Sequence, residues 1–174
     1  MFTTKQLLPA LAAAMLVAAC DRAPTAPAAA SLPATPRMAT NVSTVCMSSS
    51  TPTGYVELSY STSFSCGSST FYPNAKTIGL PASPETVCSG SSVPSGWVIT
   101  AWVSYSSSCD PYANSTGFPR DRFTIKIPGT SEVVCNSSPV PSNYSIGAAS
   151  WNSGCDQYNE GYRGYNNART ITRI

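Results

Sequence analysis

Few side chains in this 174-residue sequence can do chemistry, and the cysteines lead them. There are seven, at positions 20, 46, 66, 88, 109, 135 and 155, and the last six form pairs spaced by 20, 21 and 20 residues. An even set at regular spacing points to cystines rather than reactive thiolates, and so to an oxidising, extracytoplasmic compartment. Histidine is absent, which removes the commonest general base and the commonest metal ligand together. Serine is abundant, with 28 residues beside 18 Thr, but a hydroxyl nucleophile needs a base. A Ser-Lys dyad would have to use Lys76 or Lys126, and neither sits in a matching pattern.

The carboxylates of the folded part are Glu57, Glu85, Asp110, Asp121, Glu132, Asp156 and Glu160. A glycosidase needs two of them facing each other across a cleft. Asp110 and Asp156 each follow the second Cys of a pair, where the first pair has Gly67; repeated in this way they read as turn caps on separate lobes. Asp156, Asn159 and Glu160 offer oxygen ligands close together but do not fit a calcium loop. The expectation is a protein that is not an enzyme, with no metal and no cofactor. Charge narrows it further. Ten basic and eight acidic residues make only 10% of the chain charged, against roughly 25% in an ordinary domain. No basic stripe for nucleic acid is present.

The elements that hold these residues repeat three times. The copies open at Thr44-Val45-Cys46, Thr86-Val87-Cys88 and Val133-Val134-Cys135, with a period of 42 and then 47 residues. Six residues after each of these Cys stands a Pro (Pro52, Pro94, Pro141), and nine after stands an aromatic (Tyr55, Trp97, Tyr144). Each copy closes on a β-branched pair: Thr77-Ile78, Thr124-Ile125 and Thr170-Ile171. Such regularity marks a repeat architecture. The copies span 44–85, 86–132 and 133–174.

Within a copy the pattern is that of strands. Trp97 to Tyr105 is rich in aromatic and β-branched residues and follows a Pro-Ser-Gly turn. Its odd positions are apolar, whereas copy one places Val56, Leu58, Tyr60 and Phe64 on the opposite phase. Phe123 to Ile127 reads as a short final strand. The expectation is all-β, with two or three strands per copy and six to nine in total. Six Cys allow 15 connectivities, and repetition favours Cys46–Cys66, Cys88–Cys109 and Cys135–Cys155. Each closed loop is worth roughly 3 kcal/mol. A unit of about 43 residues buries too little by itself, so neighbouring copies must share a core. Two assemblies fit: a compact pseudo-threefold trefoil- or prism-like fold, or a side-by-side array.

The first 19 residues read as an export signal. Lys5 precedes the short apolar run Leu7–Val17, too short to span a bilayer. Its end, Val17-Ala18-Ala19-Cys20, resembles the lipobox of bacterial lipoproteins. That resemblance implies a lipidated Cys20 as first residue of the mature chain and a membrane partner through the lipid. Removing Cys20 leaves the even set of six. Residues 20–40 are Ala-, Pro- and Thr-rich, a composition that makes an extended tether, ahead of a three-repeat domain at 41–174. The implied location is the bacterial cell envelope, extracytoplasmic and lipid-anchored.

The loops between each second Cys and the last strand combine aromatics, Asn and basic residues. Tyr72, Tyr112, Arg122, Tyr158, Tyr162, Arg163 and Arg169 are the candidate ligand contacts, since this is the composition of adaptable recognition surfaces. The competing reading has the tyrosines packing over a thin β core. The leading expectation is a tethered binding module for a glycan or another repetitive polymer. The alternative is a structural or protein-interaction lipoprotein with an envelope protein as partner.

Overall fold

The computed structural model describes residues 38–68, 72–112, 120–158 and 165–174. Cys20, Tyr162 and Arg163 lie outside the described residues. No described helix is long and apolar enough to cross a membrane.

Each copy folds into the same three-stranded antiparallel sheet. Copy one holds β1 (Thr40–Cys46), β2 (Val56–Ser61) and β3 (Ala75–Leu80). Copy two holds β4 (Glu85–Cys88), β5 (Val98–Val103) and β6 (Arg122–Lys126), and copy three β7 (Ser131–Cys135), β8 (Tyr144–Ser150) and β9 (Ala168–Arg173). The last strand of each copy lies between the other two, in the orders β1-β3-β2, β4-β6-β5 and β7-β9-β8. This centres the β-branched pairs, and Ile78, Ile125 and Ile171 are buried. A one-turn 3-10 helix ends on every second Cys: η1 (Phe64–Cys66), η2 (Ser107–Cys109) and η3 (Ser153–Cys155). The described residues contain no α-helix.

No single alternation runs through the second strand of a copy, and the cause is local. In β2, β5 and β8 the register slips at equivalent places, between Glu57 and Ser59, Ile99 and Ala101, and Ile146 and Ala149. A bulge sets two residues against one and resets the alternation. Val98 and Ile99 are therefore both buried although adjacent, so copy two has no single odd-numbered face. Phe64 is a second departure: it lies in η1, beyond the end of β2, and is 97% exposed.

The cystines pair within copies, Cys46–Cys66, Cys88–Cys109 and Cys135–Cys155, with Cα separations of 5.3, 5.1 and 5.1 Å. Copies then stack in sequence order. β2 packs on β4 and η2, and β5 packs on β7 and η3. No comparable packing of copy three on copy one occurs among the described residues, so the units form a side-by-side array and not a pseudo-threefold fold. The main apolar cluster runs through these junctions, joining Val56 of copy one, Val87, Ile99 and Phe123 of copy two, and Cys135 and Cys155 of copy three. Burial of the second and third cystines is thus the work of the preceding copy.

A polar pin repeats at both junctions. The bulge frees a backbone amide, and a serine three residues after the next copy's first Cys accepts it. Glu57 N–H donates to Ser91 Oγ at 2.9 Å, and Ile99 N–H to Ser138 Oγ at 2.8 Å. At the first junction the Glu57 carboxylate also accepts from Lys76 Nζ (2.8 Å), Thr51 Oγ1 (2.8 Å) and Tyr60 Oη (2.9 Å). Burial disfavours its charge, but those three donors outweigh burial and hold its pKa below the ordinary value. Burial, followed by the Glu57 carboxylate, pushes the Tyr60 hydroxyl well up.

Candidate functional site

The site is built by two short structural devices, the first where an Asp follows the second Cys, in copies two and three, and the second in all three copies. The first is the turn after the second Cys. Asp110 is buried, and its Oδ1 accepts the Tyr112 amide at 2.9 Å. An Asx turn of this kind aims the next side chain outward, and Tyr112 is 64% exposed. Tyr158 holds the same position after Asp156 and is 56% exposed.

The second device closes the loop on the last strand. Asn74, Asp121 and Asn167 each stand four residues before the buried Ile of their copy. Their side-chain oxygens accept the amides of Ser63, Ser106 and Asn152, at 2.7, 2.9 and 2.7 Å. Asn74 and Asn167 also return a hydrogen bond from Nδ2 to the carbonyls of Ser63 and Asn152, each at 3.0 Å. An ionised Asp121 cannot donate. Burial raises its pKa, only partly opposed by the Ser106 amide. Tyr72 and Tyr165 stand two residues before Asn74 and Asn167 and are exposed.

Between these devices lie two equivalent recesses of about 220 Å³ each. The recess in copy two is lined by Ser89, Asp110, Tyr112, Arg120 and Asp121, with Gln157 reaching in from copy three. The one in copy three is lined by Asn136, Asp156, Tyr158, Tyr165 and Asn167, with Trp102 from copy two. They are neighbours, since each borrows a residue from the other's copy. A larger recess, about 510 Å³, lies elsewhere, between Met38, Val42, Leu58 and Pro84, with Glu85, Thr86 and Thr124 also in its wall.

The structure brings Tyr112 and Tyr158 together with the recesses and gives Arg122 and Arg169 other partners. Arg122 opens β6 and donates from Nη2 to Ser104 O at 2.8 Å. Arg169 lies within β9 and donates from Nη2 to Ser138 O at 3.0 Å. Neither lines a recess. Arg120, which composition did not single out, does. Its Nη1 donates to Trp102 O (3.2 Å) and Ser153 O (3.0 Å), tying the copy-two loop to η3. Its only sequence signal was its place beside Asp121.

The chemistry on offer is recognition. Tyrosine faces can stack on a ring, and amides, a guanidinium and carboxylates can hydrogen-bond hydroxyls. Asp110 and Asp121 share a recess, but their oxygens hold the amides of Tyr112 and Ser106. Tyr105 Oη donates to Asp110 Oδ2 at 3.1 Å, which raises the Tyr105 pKa. Both lysines that a Ser-Lys dyad would need are ion-paired, Lys76 with Glu57 at 2.8 Å and Lys126 with Glu132 at 2.7 Å. No metal-holding cluster occurs among the described residues. No family model, curated protein or solved structure matches the chain.

Proposed function

We infer that the chain is a lipid-tethered, extracytoplasmic binding module, and that its ligand is a glycan or a similar repetitive polymer. One observation carries this reading: the two equivalent tyrosine-lined recesses sit side by side on consecutive copies. A polymer that repeats its own chemistry can occupy both, and linked sites gain by effective concentration. Three cystines fit an oxidising compartment outside the cytoplasm. The lipobox-like run ending at Cys20 supplies the anchor.

A glycan array or polysaccharide pull-down tests the ligand class. Binding above that of the reduced, unfolded chain supports it, and signal equal to that control counts against it. Cys20→Ala tests the anchor separately: lipid labelling should vanish and the chain should leave the membrane fraction.

The second reading, a structural or protein-interaction lipoprotein of the envelope, is favoured by a different observation. The outermost surfaces of the array, on copies one and three, are of the kind that is buried at the internal junctions.

A further inference from the structure

We propose that the array continues between molecules, with copy three of one chain docking on copy one of a second copy of this chain in the geometry of the internal junctions. This deepens the structural reading above and does not depend on the glycan reading.

The internal junction supplies the template, because the chain builds it twice. One side is the bulged second strand: the amide eleven residues after the first Cys (Glu57, Ile99) donates across, and the carbonyl after it (Leu58, Thr100) faces a cystine sulfur. The other side is the serine three residues after the first Cys, with the cystine behind it. Cys109 Sγ lies 3.8 Å from Leu58 O, and Cys155 Sγ 3.9 Å from Thr100 O.

Both halves of this junction stand open at the ends. On copy three the donor position is Ile146, 59% exposed, where Glu57 and Ile99 are buried. β8 carries the same bulge as β2 and β5. On copy one the acceptor is Ser49, exposed, in the turn already formed at the other two sites: its amide donates to Cys46 O at 2.9 Å, as Ser91 does to Cys88 O at 2.9 Å and Ser138 to Cys135 O at 2.8 Å. Val45, Cys46 and Cys66 are half-exposed, whereas their equivalents in copies two and three are buried.

The two open surfaces also suit each other. η3 packs on copy two through Gly154, whose added Cβ would lie 3.6 Å from Ala101. The equivalent pair at an intermolecular junction is Ser65 and Ala148, with Phe64 beside the small residues Gly147 and Ala149. Neither β8 nor the segment 40–51 contains a charged residue, so no like charges oppose the approach. Exposed, uncharged edge strands invite pairing, and solenoid ends that lack polar caps associate. The contact is heterologous, so it propagates head to tail, as an open chain or a closed ring, rather than pairing two chains face to face.

Thiol crosslinking of the full-length chain in membranes tests the geometry. Two differently tagged chains are co-expressed, one carrying Ser49→Cys and the other Ile146→Cys, and treated with a short bismaleimide. The expected product is the mixed crosslink, and a chain carrying both substitutions gives a ladder of dimer, trimer and higher species. Adding Ile146→Lys to the Ser49→Cys chain, paired with an Ala148→Cys chain that also carries Ile146→Lys, should cut the mixed product at least tenfold relative to the same pair with Ile146 intact. Non-reducing peptide mapping confirms that the three native cystines are present in every variant. Equal amounts of like-with-like crosslinks, or monomer alone from a correctly bridged protein, would each overturn the proposal. Because glycan binding is scored separately, failure here leaves the recess reading untouched.

Discussion

Ser138 Oγ accepts the amide of Ile99 across the boundary between the second and third copies, at 2.8 Å. The two residues are 39 apart in sequence, and the bond exists only because a bulge turns that amide out of its own sheet. Ser138→Ala leaves a buried donor unsatisfied, a loss of about 1–3 kcal/mol. Denaturant unfolding should show that loss, while Ser49→Ala, at the exposed equivalent, should change stability by less than about 0.5 kcal/mol in dilute solution. Equal effects at both positions would deny the junction its role.

Asp121 stands where copies one and three have Asn, and Asp121→Asn should stabilise the protein. The amide can donate to the Ser106 carbonyl as Asn74 and Asn167 do to theirs, a hydrogen bond worth about 1 kcal/mol. The pH dependence follows from the raised pKa of Asp121. Its favourable contribution is present below the ordinary carboxylate pKa and is lost as pH rises through the folded value. Unfolding curves from pH 3 to 8 should therefore show a mutant advantage that grows with pH and then levels off.

Gly90 makes room for Tyr60. A Cβ there would stand 2.6 Å from the Tyr60 hydroxyl, which is held by Glu57. Gly90→Ala should cost about 1–3 kcal/mol by overpacking. Adding Tyr60→Phe should recover part of that loss. A thermal-melt double-mutant cycle reads the coupling, and additive losses would show that the close approach does not matter.

Exposure orders the cystines. Cys46–Cys66 is half-exposed, while Cys88–Cys109 and Cys135–Cys155 are buried under the preceding copy. In dilute solution, timed alkylation under mild reductant should label Cys46 and Cys66 first, and simultaneous labelling of all six would contradict an array with copy one at its end.

The cystine ladder and the strand content were legible because cysteine spacing and β-branched runs are local signals. The junctions were not. Ser49, Ser91 and Ser138 recur at one repeat position, and Asn74, Asp121 and Asn167 at another, so both devices left a trace. In a chain with 28 Ser that trace has no contrast until the bulge and its freed amide are known. The bulge itself is invisible to a period-two reading, which is why no single phase describes these strands. Of the candidate site, the two tyrosines that follow the Asp turns were legible as exposed aromatics. Arg122 and Arg169 were not placed by composition, because strand position and not residue type decides that their guanidiniums cap backbone carbonyls.

The central claim is that Tyr112 and Tyr158 form one extended binding surface, and a single titration tests it most directly. Polysaccharide affinity is measured for the wild-type chain, for each of Tyr112→Ala and Tyr158→Ala, and for the double variant, alongside thermal melts. Both side chains are mostly exposed, so stability should move by no more than about 0.5 kcal/mol. Affinity should fall in each single variant and at least tenfold in the double. Wild-type affinity in the stably folded double variant would contradict the account.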